Sequence, residues 1–199
     1  MPARNVTKQY QEDTYYHVYN RGTEKRVIFK DDQDYKMFLH FLKRHLTRQA
    51  EPNSRNQVYE SYAGRVELLA YCLMPNHYHL LFYLNNDTKA ISELMRKVAG
   101  TYTAYFNRRH NRVGYLFQGT YKASVVDSDS YLLHISRFIH RNPEDYYKWP
   151  YSSLQYYIGD WNSDWVVPGR LYKLYEWGTY EAFLNEYNPS PELEDELFS

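Results

Sequence analysis

Two histidines one residue apart, His77 and His79, are the side chains of this sequence best suited to chemistry. They lie in an apolar run typical of a strand, and because side chains alternate along a strand, both imidazoles leave the same face of the sheet. Such a pair can bind a divalent cation and leave other coordination positions open for substrate, as phosphoryl chemistry requires. The alternatives are a surface coincidence and a hydrogen-bonded pair, since the chain contains eight histidines.

The element that positions the two histidines is a predicted hairpin. Apolar runs at 65–74 and 77–84 flank the turn Pro75-Asn76, and this pattern indicates two antiparallel strands joined by a tight connection. The histidines therefore begin the second strand. Cys72, the single cysteine, lies in the first strand and is interpreted as a buried structural thiol rather than a nucleophile.

Hydrophobic spacing and turn residues predict the remaining elements. They are a strand at 15–19 that ends in the turn 20–22, helices at 31–48, 89–110 and 130–141, and a strand at 114–126. Asp87 or Thr88 is expected to cap the second helix, and Pro143 disfavours helical geometry at Asn142. This order predicts an α+β fold, a ferredoxin-like antiparallel sheet with helices packed on it. We assign residues 10–158 to this domain and 159–199 to a C-terminal extension with an acidic tail.

The charge is divided unevenly along the chain, although the net charge is zero. Residues 1–125 carry an excess of eight positive charges and residues 126–199 an excess of eight negative charges. This division predicts a basic face for a polyanion. Twenty-four tyrosines would suit stacking on unpaired bases. With no window that approaches a membrane span, we expect a cytoplasmic protein without membrane contact.

Five segments of the chain resemble the IS200-like single-tyrosine transposases, in particular the REP-associated tyrosine transposases. They are YHVYNRG at 16–22, LAYCLMPNHYHLLFYL at 69–84, GYLFQGTYK at 114–122, SYLLHISRFIHRNP at 130–143 and WPYSS at 149–153. The resemblance implies an HUH endonuclease fold, in which two histidines around a hydrophobic residue hold Mg²⁺ or Mn²⁺. It further implies that His77 and His79 are two metal ligands and that Asn142 is the third.

The same resemblance exposes a departure at Phe138, which occupies the position of the nucleophilic tyrosine. In the family a tyrosine oxygen attacks a phosphodiester of single-stranded DNA and leaves a 5′-phosphotyrosine and a free 3′-OH. Residues 138 and 142 are four apart and share one helix face, which fits a nucleophile and a ligand in one site. Phenylalanine lacks the hydroxyl, and Tyr131, Tyr121 and Tyr146 are not spaced to replace it. We therefore expect DNA and metal binding with weak or absent cleavage.

Two explanations of Phe138 remain open. Tyr to Phe is the minimal change an experimenter would make to trap an uncleaved complex, and it is also a plausible loss in a domesticated copy. The first is preferred because the rest of the site looks intact.

Contacts to DNA are expected from residues around this site. Arginine and lysine would neutralise phosphates, and tyrosine rings would stack on bases. The candidates are Asn20, Arg21, Gly22, Gln118, Tyr121, Lys122, Arg137 and Arg141.

The leading hypothesis is a transposase that recognises a hairpin with adjacent single-stranded bases and whose tyrosine-bearing form would nick and rejoin it. The alternative is a catalytically silent binder of palindromic repeats that acts as a regulator. A rolling-circle replication initiator or relaxase is a third possibility, which the FIHRNP and WPYSS segments disfavour. A monomer is preferred weakly over a homodimer.

Overall fold

A four-stranded antiparallel sheet organises the chain in the computed structural model, which describes residues 8–48, 52, 56, 58–174 and 179–186. Its strands are β1 (Thr14–Arg21), β2 (Val66–Met74), β3 (His77–Leu84) and β4 (Lys122–Val126). Their order across the sheet is β2, β3, β1, β4, and each neighbouring pair is antiparallel. The predicted α+β, ferredoxin-like fold is confirmed, and β2 and β3 form the predicted hairpin.

Helices cover both faces of the sheet. Helices α1 (Asp32–Leu46) and α2 (Ala90–Arg109) pack on one face against Val18, Leu80 and other residues that alternate along the strands. Helix α3 (Asp129–Arg141) packs on the other face, with its Ile135 and Ile139 in the same cluster as Leu81 of β3. Because β3 is covered on both sides, it is buried from Tyr78 to Leu84 without alternation between buried and exposed positions.

Local signals account for the helix starts in two cases. The Asp31 carboxylate accepts hydrogen bonds from the backbone N–H groups of Gln33 and Asp34 at the start of α1. The Ser128 hydroxyl accepts one from Tyr131 N, at 3.3 Å, at the start of α3. Both residues satisfy helix N–H groups that have no partner within the helix.

Three predicted boundaries are wrong. The strand at 114–126 begins only at Lys122, because residues 116–118 instead bond to the turn after β1 and Gly119 has a φ of +71°. The cap position of α2 belongs to Lys89 rather than to Asp87 or Thr88, although the Asp87 carboxylate accepts a hydrogen bond from Lys89 N at 3.0 Å and also pairs with Arg65 at 3.2 Å. Asn142 keeps helical geometry in spite of the following proline, with φ −58° and ψ −40°.

The described part of the C-terminal extension packs onto the domain before it. Val167 N donates to Leu68 O at 2.8 Å, and the Arg170 guanidinium pairs with Glu67 at 2.7 Å. Helices α4 (Gln155–Ile158), α5 (Gly169–Tyr172) and α6 (Tyr180–Asn185) follow α3, and Leu171 and Leu184 are fully buried. The acidic tail at 189–199 lies outside the described residues. Within the described residues, none of the helices has the length and apolar composition needed to cross a bilayer.

Candidate functional site

The two histidines of β3 lie on the sheet face that α3 covers. Tyr78, between them, is buried in the opposite cluster with Phe38, so alternation along β3 sends both imidazoles to the α3 side. The two rings are 5.1 Å apart and nearly perpendicular. The predicted common face is therefore present in the structure.

His77 is positioned by close polar contacts at both ring nitrogens. Its Nδ1 lies 2.7 Å from Asn76 Oδ1, and its Nε2 lies 3.0 Å from Asn142 Oδ1. Burial lowers the pKa of His77, a hydrogen bond with Asn142 opposes this, and the positive charge of Arg21 adds to the lowering. At neutral pH the imidazole is uncharged and carries a single ring proton, as a metal ligand must.

His79 is buried deeper and is held by a third histidine. His79 Nδ1 lies 2.9 Å from His17 Nε2, and the two rings are stacked at 5.1 Å. Burial lowers the pKa of His79 well below its usual value, and the nearby His17 and His77 add to this effect. Burial likewise lowers the pKa of His17 to about 3. His17 and His79 are therefore both neutral. Because Nδ1 of His79 contacts His17, Nε2 is the ring nitrogen of His79 that would bind an external ligand.

Asn142 brings an amide oxygen to the two histidines. It caps the end of α3, and its helical backbone directs the side chain to His77. Across the part of the chain that the structure describes, no three His, Cys, Asp or Glu side chains converge on one point. The Asn142 carboxamide oxygen is an oxygen donor that lies beside the pair.

Phe138 lies one turn before Asn142 and packs directly on the histidines. Its ring centroid is 5.2 Å from that of His79 and 6.2 Å from that of His17, both in edge-to-face arrangement. Its exposed fraction is 5%. The predicted neighbourhood of residue 138 and the histidines is present, and the position contains a packed ring without a hydroxyl.

Helix α3 is fixed from its far side by His140. The imidazole of His140 is buried, with Nδ1 at 2.6 Å from the Tyr180 hydroxyl and Nε2 at 2.7 Å from Ser153 Oγ. Ser153 in turn hydrogen-bonds to the backbone of Tyr71 in β2. Burial lowers the pKa of His140 to about 3, so it is a neutral clamp between α3, the sheet and α6.

The predicted DNA residues after β1 face two directions. Arg21 lies opposite His77 in the sheet, and its Nε donates to Gln118 Oε1 at 2.5 Å. Asn20 faces the α2 side, where its amide bonds to Gly119 O at 3.3 Å. Gly22 N donates to Asn76 O at 2.8 Å. Only Arg21 of these three side chains lies on the face of the histidine pair.

Tyr121 and Lys122 are less open than the prediction assumed. The Tyr121 ring is buried, its hydroxyl bonds to those of Tyr10 and Ser92, and Lys8 Nζ covers one face at 4.4 Å. It lines a pocket of about 340 Å³ on the α2 side together with Asn20. Lys122 Nζ lies 5.9 Å from the centre of the Tyr19 ring. Stacking of a base on Tyr121 would require Lys8 to move.

Arg137 and Arg141 of α3 both reach the C-terminal helix α6. The Arg137 guanidinium lies 3.6 Å from the centre of the Phe183 ring. Arg141 Nη1 donates to Leu184 O at 2.7 Å. A phosphate would compete with these contacts, and phosphate binding by the two arginines stays a prediction.

Sequence reasoning missed three residues of this site. His17 and Tyr19 occupy alternate positions of β1 on the same face as the histidine pair, and the Tyr19 ring is stacked 4.9 Å from the His17 ring. Alternation along the first strand predicts that His17 and Tyr19 share one face. Placing that face against the histidine pair requires the pairing of β1 with β3, which the sequence pattern does not contain. Asn76 was predicted only as a turn residue, yet it sets the orientation of the His77 ring.

Comparisons with known proteins identify a family and two similar structures. Residues 10–142 match the family model described as "Transposase IS200 like". A structure of a REP-associated tyrosine transposase bound to a REP hairpin superposes with a TM-score of 0.56 at 15% identity, over 83% of this chain and 94% of that one. A crystal structure described as a transposase from Deinococcus radiodurans R1 has a TM-score of 0.40 at 15% identity, over 70% and 95% of the two chains. No curated protein sequence matches the chain.

Proposed function

The chain belongs to the family of IS200-like transposases, and from this membership we propose that it binds DNA containing a hairpin with adjacent unpaired bases. The structural relative bound to a REP hairpin has the same fold over nearly its whole length, which supports a hairpin as the partner. The excess of positive charge in residues 1–125 supports a polyanion. The convergence of His77, His79 and Asn142 beside residue 138 is the observation that carries the proposal.

The donor atoms fit Mg²⁺ or Mn²⁺. In the tautomer with its proton on Nδ1, neutral His77 donates to Asn76 Oδ1, and a lone pair on Nε2 faces the Asn142 oxygen at 3.0 Å. Two facing lone pairs repel unless a cation is shared between them. Neighbouring ligands of an octahedral ion with bonds of about 2.1 Å lie about 3.0 Å apart, which matches this separation. His79 would add its Nε2 as the third donor.

A bound divalent ion would polarise the scissile phosphate and stabilise negative charge on its oxygens. The residues of the chain would hold and orient the DNA strand, with Arg21 beside His77 as a phosphate contact. A tyrosine at position 138 would form an O–P bond to the phosphate while the bond to the 3′ oxygen breaks, which leaves a 5′-phosphotyrosine and a 3′-OH. Phe138 packs on the same rings but has no oxygen, so we propose that this chain binds without efficient cleavage.

Tyr19 is the tyrosine ring that lies against the site, and it does not substitute for the missing nucleophile. Its ring is stacked on His17 and His79, at 4.9 and 5.9 Å, which argues for a packing role. Burial raises the pKa of its hydroxyl, and a higher pKa makes the phenolate harder to form.

The test compares this chain with its Phe138→Tyr variant on a single-stranded hairpin oligonucleotide with Mn²⁺. We expect a covalent 5′ adduct, resolved by denaturing electrophoresis, from the Phe138→Tyr variant alone. Equal cleavage by both proteins would contradict the assignment of position 138. Adding His77→Ala to the Phe138→Tyr variant should abolish the adduct, and retained cleavage would remove the metal assignment.

A silent binder of palindromic repeats is the second candidate function. Phe138 favours it, because the ring is packed against two imidazoles and supplies no oxygen for attack on a phosphate. Hairpin binding that persists in both proteins, with no adduct from either, would identify this function.

A further inference from the structure

The loop between α2 and β4 displays two large side chains to solvent. Val113 is 91% exposed and Tyr115 is 88% exposed, the highest values among the exposed large hydrophobic residues of the described structure. Exposed apolar side chains scattered singly are common, but two at alternate positions of one loop form a small contact surface. We call residues 112–115 the display loop.

Hydrogen bonds hold the display loop in one shape. The Arg112 guanidinium donates to Asn107 Oδ1 at 2.8 Å, to Gly114 O at 3.1 Å and to Tyr115 O. Asn107 Nδ2 donates to Gly114 O at 2.9 Å, and Gly114 has a φ of +90°, which favours glycine. Because the carbonyls of Gly114 and Tyr115 are held, a ligand that contacts this loop would not have to order its backbone.

A chain of hydrogen bonds joins the display loop to the histidine site. Leu116 O accepts from Thr23 N at 3.0 Å, and the neighbouring Gly22 N donates to Asn76 O at 2.8 Å. Asn76 Oδ1 then contacts His77 Nδ1 at 2.7 Å. These bonds connect the backbone that follows the display loop to the residue that orients His77.

The charge around the display loop favours a nucleic acid over a protein partner. Residues 94–126 contain six Lys and Arg residues and no Asp or Glu, and two of the six, Lys97 and Arg109, form ion pairs with acidic residues of other segments. Arg26 is close enough to Arg112 that, after burial, its charge contributes to lowering the pKa of Arg112. Arg26 pairs with Glu24 at 3.3 Å and Arg112 donates to Tyr115 O, so two guanidinium groups here have one acidic partner between them. The remaining positive charge next to an exposed aromatic residue suits a ligand with negative charge and flat rings.

We propose that Tyr115, supported by Val113, is a stacking platform for an unpaired base of the DNA strand that extends from the histidine site. This inference rests on the proposed DNA binding and adds a base contact to it. The phenol ring supplies the flat surface, and the arginines neutralise the phosphates that flank the base. Stacking on one ring is tolerant of sequence, so Tyr115 adds affinity more than it selects a base.

The test uses full-length protein and a hairpin oligonucleotide selected for binding from a pool with randomised unpaired flanks. Successive flank positions carry 2-aminopurine, whose fluorescence reports stacking. We expect Tyr115→Ala to weaken binding on the order of tenfold and to remove the fluorescence change at one flank position. Tyr115→Phe and Tyr115→Trp should keep both. Trp161→Ala, at a 51% exposed aromatic between two acidic residues, is the matched control and should bind as the unchanged chain does.

Salt dependence separates stacking from phosphate contact. The slope of log affinity against log salt should be the same for Tyr115→Ala and the unchanged chain, because stacking releases no counterions. Unchanged affinity and fluorescence in Tyr115→Ala would overturn this inference while the DNA-binding proposal stands. If the unchanged chain retained no member of the pool, both the stacking inference and the DNA-binding proposal would be contradicted. A change of oligomeric state in Tyr115→Ala, measured by light scattering without DNA, would assign the display loop to protein contact instead.

Discussion

At the scale of single residues, His17 extends the metal proposal beyond the three ligands. Its Nε2 lies 2.9 Å from His79 Nδ1, and its ring is clamped between the Tyr19 ring and the edge of Phe138. Partners behind a metal ligand fix its tautomer and orientation and are nearly as important as the ligand itself. We interpret His17 as a positioning residue that accepts the Nδ1 proton of His79.

His17→Ala should therefore weaken Mn²⁺ binding about 10- to 100-fold, measured by isothermal titration calorimetry. His17→Gln, whose amide oxygen can accept the same hydrogen bond, should recover part of the affinity. His45→Gln is the control, because His45 is also a buried histidine but contacts Glu60 O rather than the site. Equal Mn²⁺ affinity in His17→Ala and the unchanged chain would remove this role.

The sequence was sufficient to predict the neighbourhood of His77, His79, Asn142 and residue 138, and insufficient to find His17. The first set follows from alternation in a strand, one turn of a helix and a family resemblance. His17 is separated from His79 by 62 positions, and their contact depends on the pairing of β1 with β3. Pairing between distant strands is a property of the folded chain that local pattern does not contain.

At the scale of elements, the turn after β1 depends on the absence of a side chain at Gly22. A Cβ atom there would lie 2.2 Å from Arg26 O and 2.8 Å from an Ile28 methyl carbon. This turn joins β1 to Asn76 and to the display loop, so its shape affects both.

Gly22→Ala should destabilise the protein by about 1–3 kcal/mol, as expected for overpacking in a well-packed region. Gly100→Ala is the control, because Gly100 lies in α2 with open space around it and alanine favours a helix by about 0.5–1 kcal/mol. Urea unfolding followed by circular dichroism measures both. A lower free energy of unfolding in Gly100→Ala, or an unchanged one in Gly22→Ala, would contradict the steric explanation.

Residues 114–121, which contact the turn after β1, show why one predicted strand begins at the wrong residue. The β2–β3 hairpin was predicted because its turn and both strands are consecutive in sequence. The strand before α3 was predicted eight residues too long, because residues 114–121 are apolar and aromatic enough for a strand. Gly114 and Gly119, both with positive φ, interrupt it, and Phe117 makes only an isolated bridge to Gly22.

At the scale of the whole molecule, several histidines are buried in neutral form. Burial lowers the pKa of His17 and His140 to about 3, and it also lowers the pKa of His45 and His79. In the unfolded chain each histidine takes up a proton near pH 6.5, whereas in the folded chain these buried histidines take up a proton only at lower pH. Since the unfolded state binds more protons below pH 6.5, the free energy of unfolding is highest above that value and falls as the pH falls.

We expect the free energy of unfolding to fall between pH 6.5 and 5 by about 1.4 kcal/mol per pH unit for each histidine that stays neutral in the folded chain over this range. Urea unfolding in chelator-containing buffer from pH 7.5 to pH 5 measures this. His140→Gln should reduce the slope of the free energy of unfolding against pH. It should also lower stability at neutral pH, because the Tyr180 and Ser153 hydroxyls lose a partner. A free energy that does not change over this range would contradict the burial of neutral imidazoles.

The clamp around His140 also affects the order in which the site forms during synthesis. Ribosomes release the N-terminal part of a chain first, so β1, β3 and α3 emerge before Ser153 and Tyr180, the two partners that hold His140. Tyr180 follows His140 by 40 positions, which corresponds to about 2–8 s of translation. During that interval α3 lacks its anchor. The α3 side of the histidine pair therefore gains its last anchor only when α6 has been made.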